Sequence, residues 1–165
     1  MTRFTIASFN LKNLIGADQE YYQFQSYTPE EYAWKQDWTA EQILSMDADV
    51  IGFQEVFEEQ ALRDVITEAD ALGKASNEAV LPDRSKAYRK KAIFRKLGVT
   101  PYDDAALAFA ANVNDSGVPG QRRPGLAILS RFGFAEAPEV IQLLPEPLEI
   151  PFSDLTGEDA GHYRL

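Results

Sequence analysis

The chain has 165 residues, 45% of them hydrophobic and 12% aromatic, which suits one domain with a substantial core and is short for two. It contains no cysteine and a single histidine, His162, which excludes disulfides, thiolate catalysis, zinc–sulfur sites and His-rich metal clusters. Its net charge of −10 argues against general affinity for nucleic acid, no apolar run is long enough to span a bilayer, and Met1-Thr-Arg-Phe4 lacks the apolar core of a signal peptide. A cytoplasmic protein is expected, and any metal in it would be held by oxygen ligands.

In chain order, Arg3 to Leu11 reads as a strand with both faces largely apolar, hence buried. Residues 12–27 are polar and rich in tyrosine and form a loop. Thr28-Pro-Glu-Glu31 joins an N-cap, a proline at the first helical position and a capping-box glutamate. The helix it opens is expected to run to about Met46 and to bury parts of Tyr32, Trp34, Trp38, Ile43 and Leu44. Val50 to Gln54 is a second buried strand. Glu58 to Leu72 is a second helix, with Leu62, Val65, Ile66 and Ala69 as its apolar stripe and Gly73 as its stop.

Residues 74–104 hold a basic run, Arg84, Lys86, Arg89, Lys90, Lys91, Arg95 and Lys96, with a cationic helix expected over Tyr88 to Leu97. A contact with an anionic backbone or head group and a plain solvated helix face both account for it. Ala105 to Val113 reads as a strand, Asn114-Asp-Ser-Gly117 as a turn, and Gly125 to Ser130 as a further strand. Phe134 to Leu144 is expected as an edge strand, since Pro138 restricts it, and Pro145 to Pro151 as extended chain.

Two strand ends carry the chemistry. Ile6-Ala-Ser-Phe-Asn10 and Asp49-Val-Ile-Gly-Phe-Gln-Glu55 each finish on a polar side chain able to bind a metal or a phosphate oxygen. A helix of crossover length lies between them, so two parallel strands would bring Asn10 and Glu55 to one rim of a sheet, where open α/β sheets place ligands. On spacing alone the plainer reading holds, with Asn10 a turn former and Glu55 a solvated residue.

The order Ser8-Phe-Asn10, Ala48-Asp-Val-Ile-Gly-Phe-Gln-Glu55-Val, then Gly125-Leu-Ala-Ile-Leu-Ser-Arg131 resembles the N-terminal half of the endonuclease/exonuclease/phosphatase superfamily, the deoxyribonuclease-I-like proteins. The resemblance implies an α/β chain of the α+β type: a mixed β-sheet with flanking helices, the front half of a four-layer β-sandwich. Residues 1–165 would be an incomplete domain with insertions near 12–28 and 74–104, lacking its C-terminal half. It implies Asn10 and Glu55 as catalytic residues and metal ligands, and Mg²⁺ as cofactor, with Mn²⁺ or Ca²⁺ as substitutes.

Arg122 and Arg123, just before the Gly125 strand, are the candidates for binding substrate phosphate. Nucleic acid or another phosphoester is the implied partner, cleaved by a nuclease in metal-assisted phosphodiester hydrolysis. A phosphatase acting on a small or lipid-derived phosphoester is the alternative, and a non-catalytic fragment or interaction module a third reading. The family's strand histidine, Gly-Asp-x-Asn motif and final Asp-His pair are absent from these residues, so the chain alone is expected to be inactive. Asn112-Val-Asn-Asp115 reads as a turn, Ser130 as structural, and His162 as a surface residue outside any strand.

Overall fold

The computed structural model describes residues 3–78, 98–141, 149–151 and 162–164. Its elements are β1 (Ile6–Leu14), α1 (Pro29–Met46), β2 (Val50–Val56), α2 (Glu59–Glu78), β3 (Ala106–Ala110), β4 (Gly125–Ser130), β5 (Glu149–Pro151) and β6 (His162–Arg164). The chain is an α/β protein: β1 to β4 form one mixed sheet in the order β1-β2-β4-β3. β1 and β2 run parallel, joined through α1, whereas β4 is antiparallel to both β2 and β3. β5 and β6 form a separate antiparallel pair.

Local sequence accounts for the helices. The Thr28 side chain accepts from the Glu31 backbone N–H while the Glu31 carboxylate accepts from the Thr28 N–H, closing a capping box worth about 1 kcal/mol. Ala40 and Ile43 of α1 join Ala61, Leu62, Val65, Ile66 and Ala69 of α2 over Ile51, Phe53, Ala127 and Leu129 of the sheet. Both helices therefore cover one face of the sheet. No described helix is long and apolar enough to cross a membrane.

Several expectations are corrected. β1 is an edge strand with one open face, where Ile6 is 70% exposed, and Leu126 and Ile128 of β4 are exposed on the same face. Trp34 and Trp38 are exposed rather than buried; they stack on each other, with ring centroids 6.5 Å apart. Gly73 does not stop α2, which continues through it to Glu78. A Cβ there would lie 3.2 Å from Leu44 Cδ1, so Gly73 is the point at which α1 and α2 approach closely. No strand forms over 134–141, the third strand shortens to Ala106–Ala110, and His162 opens β6 instead of standing outside a strand. The cationic helix expected over 88–97 and the basic run lie outside the described residues.

At the rim opposite the carboxyl ends of β1 and β2, Arg131 ties the elements together. Its guanidinium donates to Asp47 Oδ1 at 2.7 Å and to the Thr100 carbonyl, and lies 4.0 Å from the Tyr102 ring centroid. Asp49 Oδ2 accepts from Thr5 N at 2.8 Å and Thr5 Oγ1 at 3.0 Å, and these bonds, with Arg131 nearby, hold its carboxyl below the ordinary value of 3.8. A carboxyl held low in the fold stabilises it above its unfolded pKa and stops doing so as pH falls through the folded value. The melting-temperature gap between wild type and Asp49→Asn is therefore expected to be full near neutrality and to close below about pH 4; a gap that persists at lower pH would contradict it.

Asn77 near the end of α2 acts as a clasp. Its amide donates to the Val99 carbonyl at 2.9 Å and accepts from Gly98 N and Val99 N, each at 3.1 Å.

Candidate functional site

β1 and β2 end side by side, with Asn10 paired to Gln54 in register. Beyond that pair the ladder breaks: Leu14 pairs with Val56, so Leu11, Lys12 and Asn13 of β1 face Glu55 alone. On the other side of β2, Gln54 pairs with Leu126 and Val56 with Gly125, so here Glu55 is the extra residue. It bulges from β2 against β4, opposite the surplus residues of β1, with φ at 60°. Gly125, opposite Val56, lets β3 approach β4 closely, since a Cβ on it would meet the Ala110 carbonyl.

The bulge decides which way Glu55 faces. Ile51 and Phe53 point into the core, and strict alternation would send residue 55 after them. The extra residue shifts the parity so that Val56 takes the buried position, fully enclosed, and Glu55 stays at the rim. Bulges beside functional sites commonly re-aim one side chain in this way.

Asn10 Nδ2 donates to Glu55 Oε1 at 2.8 Å, and Asn10 Oδ1 accepts from Lys12 N at 2.8 Å. Asn10 thus orients the Glu55 carboxylate, whose Oε2 has no hydrogen-bond partner among the described residues. The Lys12 peptide is held in turn, because Lys35 Nζ donates to its carbonyl at 2.8 Å and Tyr27 Oη donates to it at 3.2 Å. Lys12 and Asn13 have φ of 48° and 65°, left-handed values that this clamp sustains. Lys35 and Tyr27 thus hold the carbonyl of Lys12 while its N–H, on the preceding peptide, is held by Asn10, which meets Glu55.

Charge follows the same path. Burial and the neighbouring Lys12 lower the pKa of Lys35, partly offset by Glu55. Burial raises that of Tyr27, with Tyr21, Glu31 and Glu55 adding to the shift. Lys35, Tyr27 and Lys12 did not emerge from the sequence as site residues. One signal existed: Lys35 lies four and eight residues before Thr39 and Ile43, both buried, so a lysine occupies the core-facing stripe of α1.

The two candidate arginines part company. Arg122 is a scaffold group: it donates to Glu58 Oε1 at 2.5 Å and to Gln19 Oε1 at 3.1 Å, while Glu58 Oε2 accepts from Gly16 N at 3.0 Å. Arg123 is exposed and lines a cleft with Tyr22 and Gln121. Among the described residues no three Asp, Glu or His side chains gather as a metal-holding group, so Glu55 stands as a single carboxylate beside a neutral amide. Comparison with family models, curated proteins and solved structures finds no match to this chain.

Proposed function

We propose that this chain serves Mg²⁺-dependent phosphodiester hydrolysis, as a nuclease working in the cytoplasm. The observation that carries the reading is Glu55: a glutamate at positive φ where both ladders of β2 break, hydrogen-bonded to an asparagine from the parallel neighbouring strand. Backbone strain of this kind costs about 1–3 kcal/mol and persists where the surrounding structure enforces it, often at functional sites.

The donor set fits a hard divalent ion. Mg²⁺ in phosphoryl-transfer sites takes one or two carboxylates and fills its remaining positions with water and substrate oxygen. Glu55 would hold it through the oxygen that Asn10 leaves unengaged, and Mn²⁺ or Ca²⁺ suits the same oxygen ligands. When bound, such an ion offsets negative charge developing on a phosphoryl group. Asn10 keeps the carboxylate aimed, and Lys12 and Lys35 bring positive charge to the rim that a phosphate would approach. The same reading makes the four-stranded sheet the front of a deoxyribonuclease-I-like sandwich, with Ile6, Leu126 and Ile128 on the face that a second sheet would cover.

Two measurements test the reading. Mn²⁺ added to the chain should broaden amide NMR signals around Asn10 and Glu55 first, which reads the site whether or not the chain hydrolyses by itself. Where a second sheet completes the sandwich, supercoiled plasmid should be nicked in Mg²⁺ and left intact in EDTA. Broadening centred elsewhere, or nicking indifferent to EDTA, would count against the proposal. Phosphate release from monoesters without nicking would transfer the site to a phosphatase.

Asn10→Leu keeps the size of the side chain and removes the amide that holds Glu55 Oε1. It is expected to weaken Mn²⁺ binding about 10- to 100-fold, the usual effect of losing a group that orients a metal ligand, as measured by Mn²⁺ titration.

A further inference from the structure

Loop residues 19–25 and 117–124 meet beside the candidate site and enclose a cleft of about 310 Å³, lined by Tyr22, Gln23, Gln25, Gly120, Gln121 and Arg123. The two loops are bonded to each other, Gln23 N to the Gly120 carbonyl at 3.0 Å and Gly120 N to the Glu20 carbonyl at 3.5 Å. Their position is fixed relative to Glu55. The Tyr22 ring packs edge-on against Phe57, two residues past Glu55, with centroids 5.5 Å apart. Arg122, next to Arg123, is pinned to Glu58.

The lining is unusual for a chain carrying 26 acidic residues, because none of them lines the cleft. Glu20 Oε2 lies 3.6 Å from where a Cβ on Gly120 would stand, but Glu20 does not line the cleft. What faces the space is one arginine with no ion-pair partner among the described residues, three glutamine amides with no side-chain bonds there, and one tyrosine. Gln23 and Phe24 have φ of 30° and 78°, and bonds from Tyr21 N to the Gln25 carbonyl and from Gln25 N to the Tyr22 carbonyl close the turn. Phe24 stands at its tip, 91% exposed, between two of the lining glutamines.

We infer that this cleft binds one nucleotide of a nucleic-acid strand, holding the chain beside the phosphodiester at Glu55; the inference rests on the hydrolase reading above and names its substrate class. Each lining group matches one part of a nucleotide. The Arg123 guanidinium suits the phosphate, where paired N–H donors meet two oxygens. Glutamine amides offer a donor and an acceptor together, the arrangement that meets the edge of a base. Tyr22 supplies aromatic surface for stacking, which accepts any base. The volume lies at the small end of ligand clefts and suits a single unit rather than a duplex. An inositol phosphate would use the arginine and the amides but leave the aromatic surface without a partner.

The test is fluorescence anisotropy with a fluorescein-labelled single-stranded 12-nucleotide DNA of mixed sequence, in EDTA, so that binding is read apart from metal chemistry. Wild type should bind, and Arg123→Glu should bind at least tenfold more weakly. Tyr22→Leu should lose a similar factor while Tyr22→Phe retains affinity, which separates stacking from the hydroxyl. Equal binding by Arg123→Glu, no binding by wild type, or displacement of the DNA by inositol trisphosphate as readily as by unlabelled DNA would overturn the cleft assignment. The two readings fail separately. Retained nicking in Arg123→Glu with loss in Glu55→Gln would sink the cleft alone, and the reverse pattern would sink the metal site alone.

Discussion

Glu55→Gln is expected to leave the fold standing and to reduce Mg²⁺-dependent plasmid nicking by the completed sandwich about 10²- to 10³-fold, the range seen when one preorganised electrostatic group is removed from a catalytic site. The amide keeps the length of the side chain and an oxygen able to accept from Asn10 Nδ2, so the bulge has no reason to rearrange. What is lost is the negative charge, and a neutral amide is a poor anchor for a hard cation. Glu55→Gly sharpens the test. At φ of 60° a glycine is relieved of the Cβ crowding that burdens glutamate, by about 1 kcal/mol. Glu55→Gly is therefore expected to melt at or above the wild-type temperature while losing all nicking. A variant that gains stability as it loses function shows that the glutamate is kept for chemistry; unchanged nicking in Glu55→Gln would remove the residue from the reaction.

Arg131→Met is expected to destabilise the protein by about 3–5 kcal/mol, the range for removing one partner of a buried ion pair. Only 9% of the Arg131 side chain is exposed, and it is paired with Asp47 at 2.7 Å and faces Asp49 at 3.7 Å. Methionine refills the space over the Tyr102 ring but leaves both carboxylates without this counter-charge and the Thr100 carbonyl without this donor. For a domain of this size the melting temperature should fall by roughly 10 °C or more. Asp47→Asn in the same chain should recover part of the loss, because one of the stranded charges is then gone. A drop of less than about 1 kcal/mol would mean that the pair behaves like an exposed one.

The elements most legible in the sequence were those in which several local signals agree. Thr28-Pro-Glu-Glu31 specifies a helix start by three separate mechanisms, and α1 begins at Pro29. Gly125–Ser130 was readable to the residue, since a strand flanked by Pro124 and Arg131 has little freedom to slide. Trp34 and Trp38 mislead because bulk alone does not place a side chain in a core. They sit on the solvent side of α1 and shelter each other, with Trp38 against Phe9. Gly73 misled because a glycine late in a helix marks a stop equally well as a close approach.

The site divides in the same way. That Asn10 and Glu55 share a rim follows from two parallel strands joined by a helix, and is readable from pattern alone. That Glu55 is a bulge is not, although a trace of it exists. Period-two alternation through Ile51 and Phe53 assigns a glutamate to the core, and a charge at an inward position signals a break in the ladder. The Lys35 contribution depends on a backbone carbonyl, which leaves no mark in residue identity.

Asn77 brings Glu78 and Gly98 together through hydrogen bonds that use only the two ends of the intervening stretch. The entropy of closing a loop grows only slowly with its length, so a base already clasped is largely indifferent to how much chain lies beyond it. Seen this way, one amide at the end of α2 does the work of a rivet, fastening the helix to the segment that leads through Val99 and Tyr102 into β3.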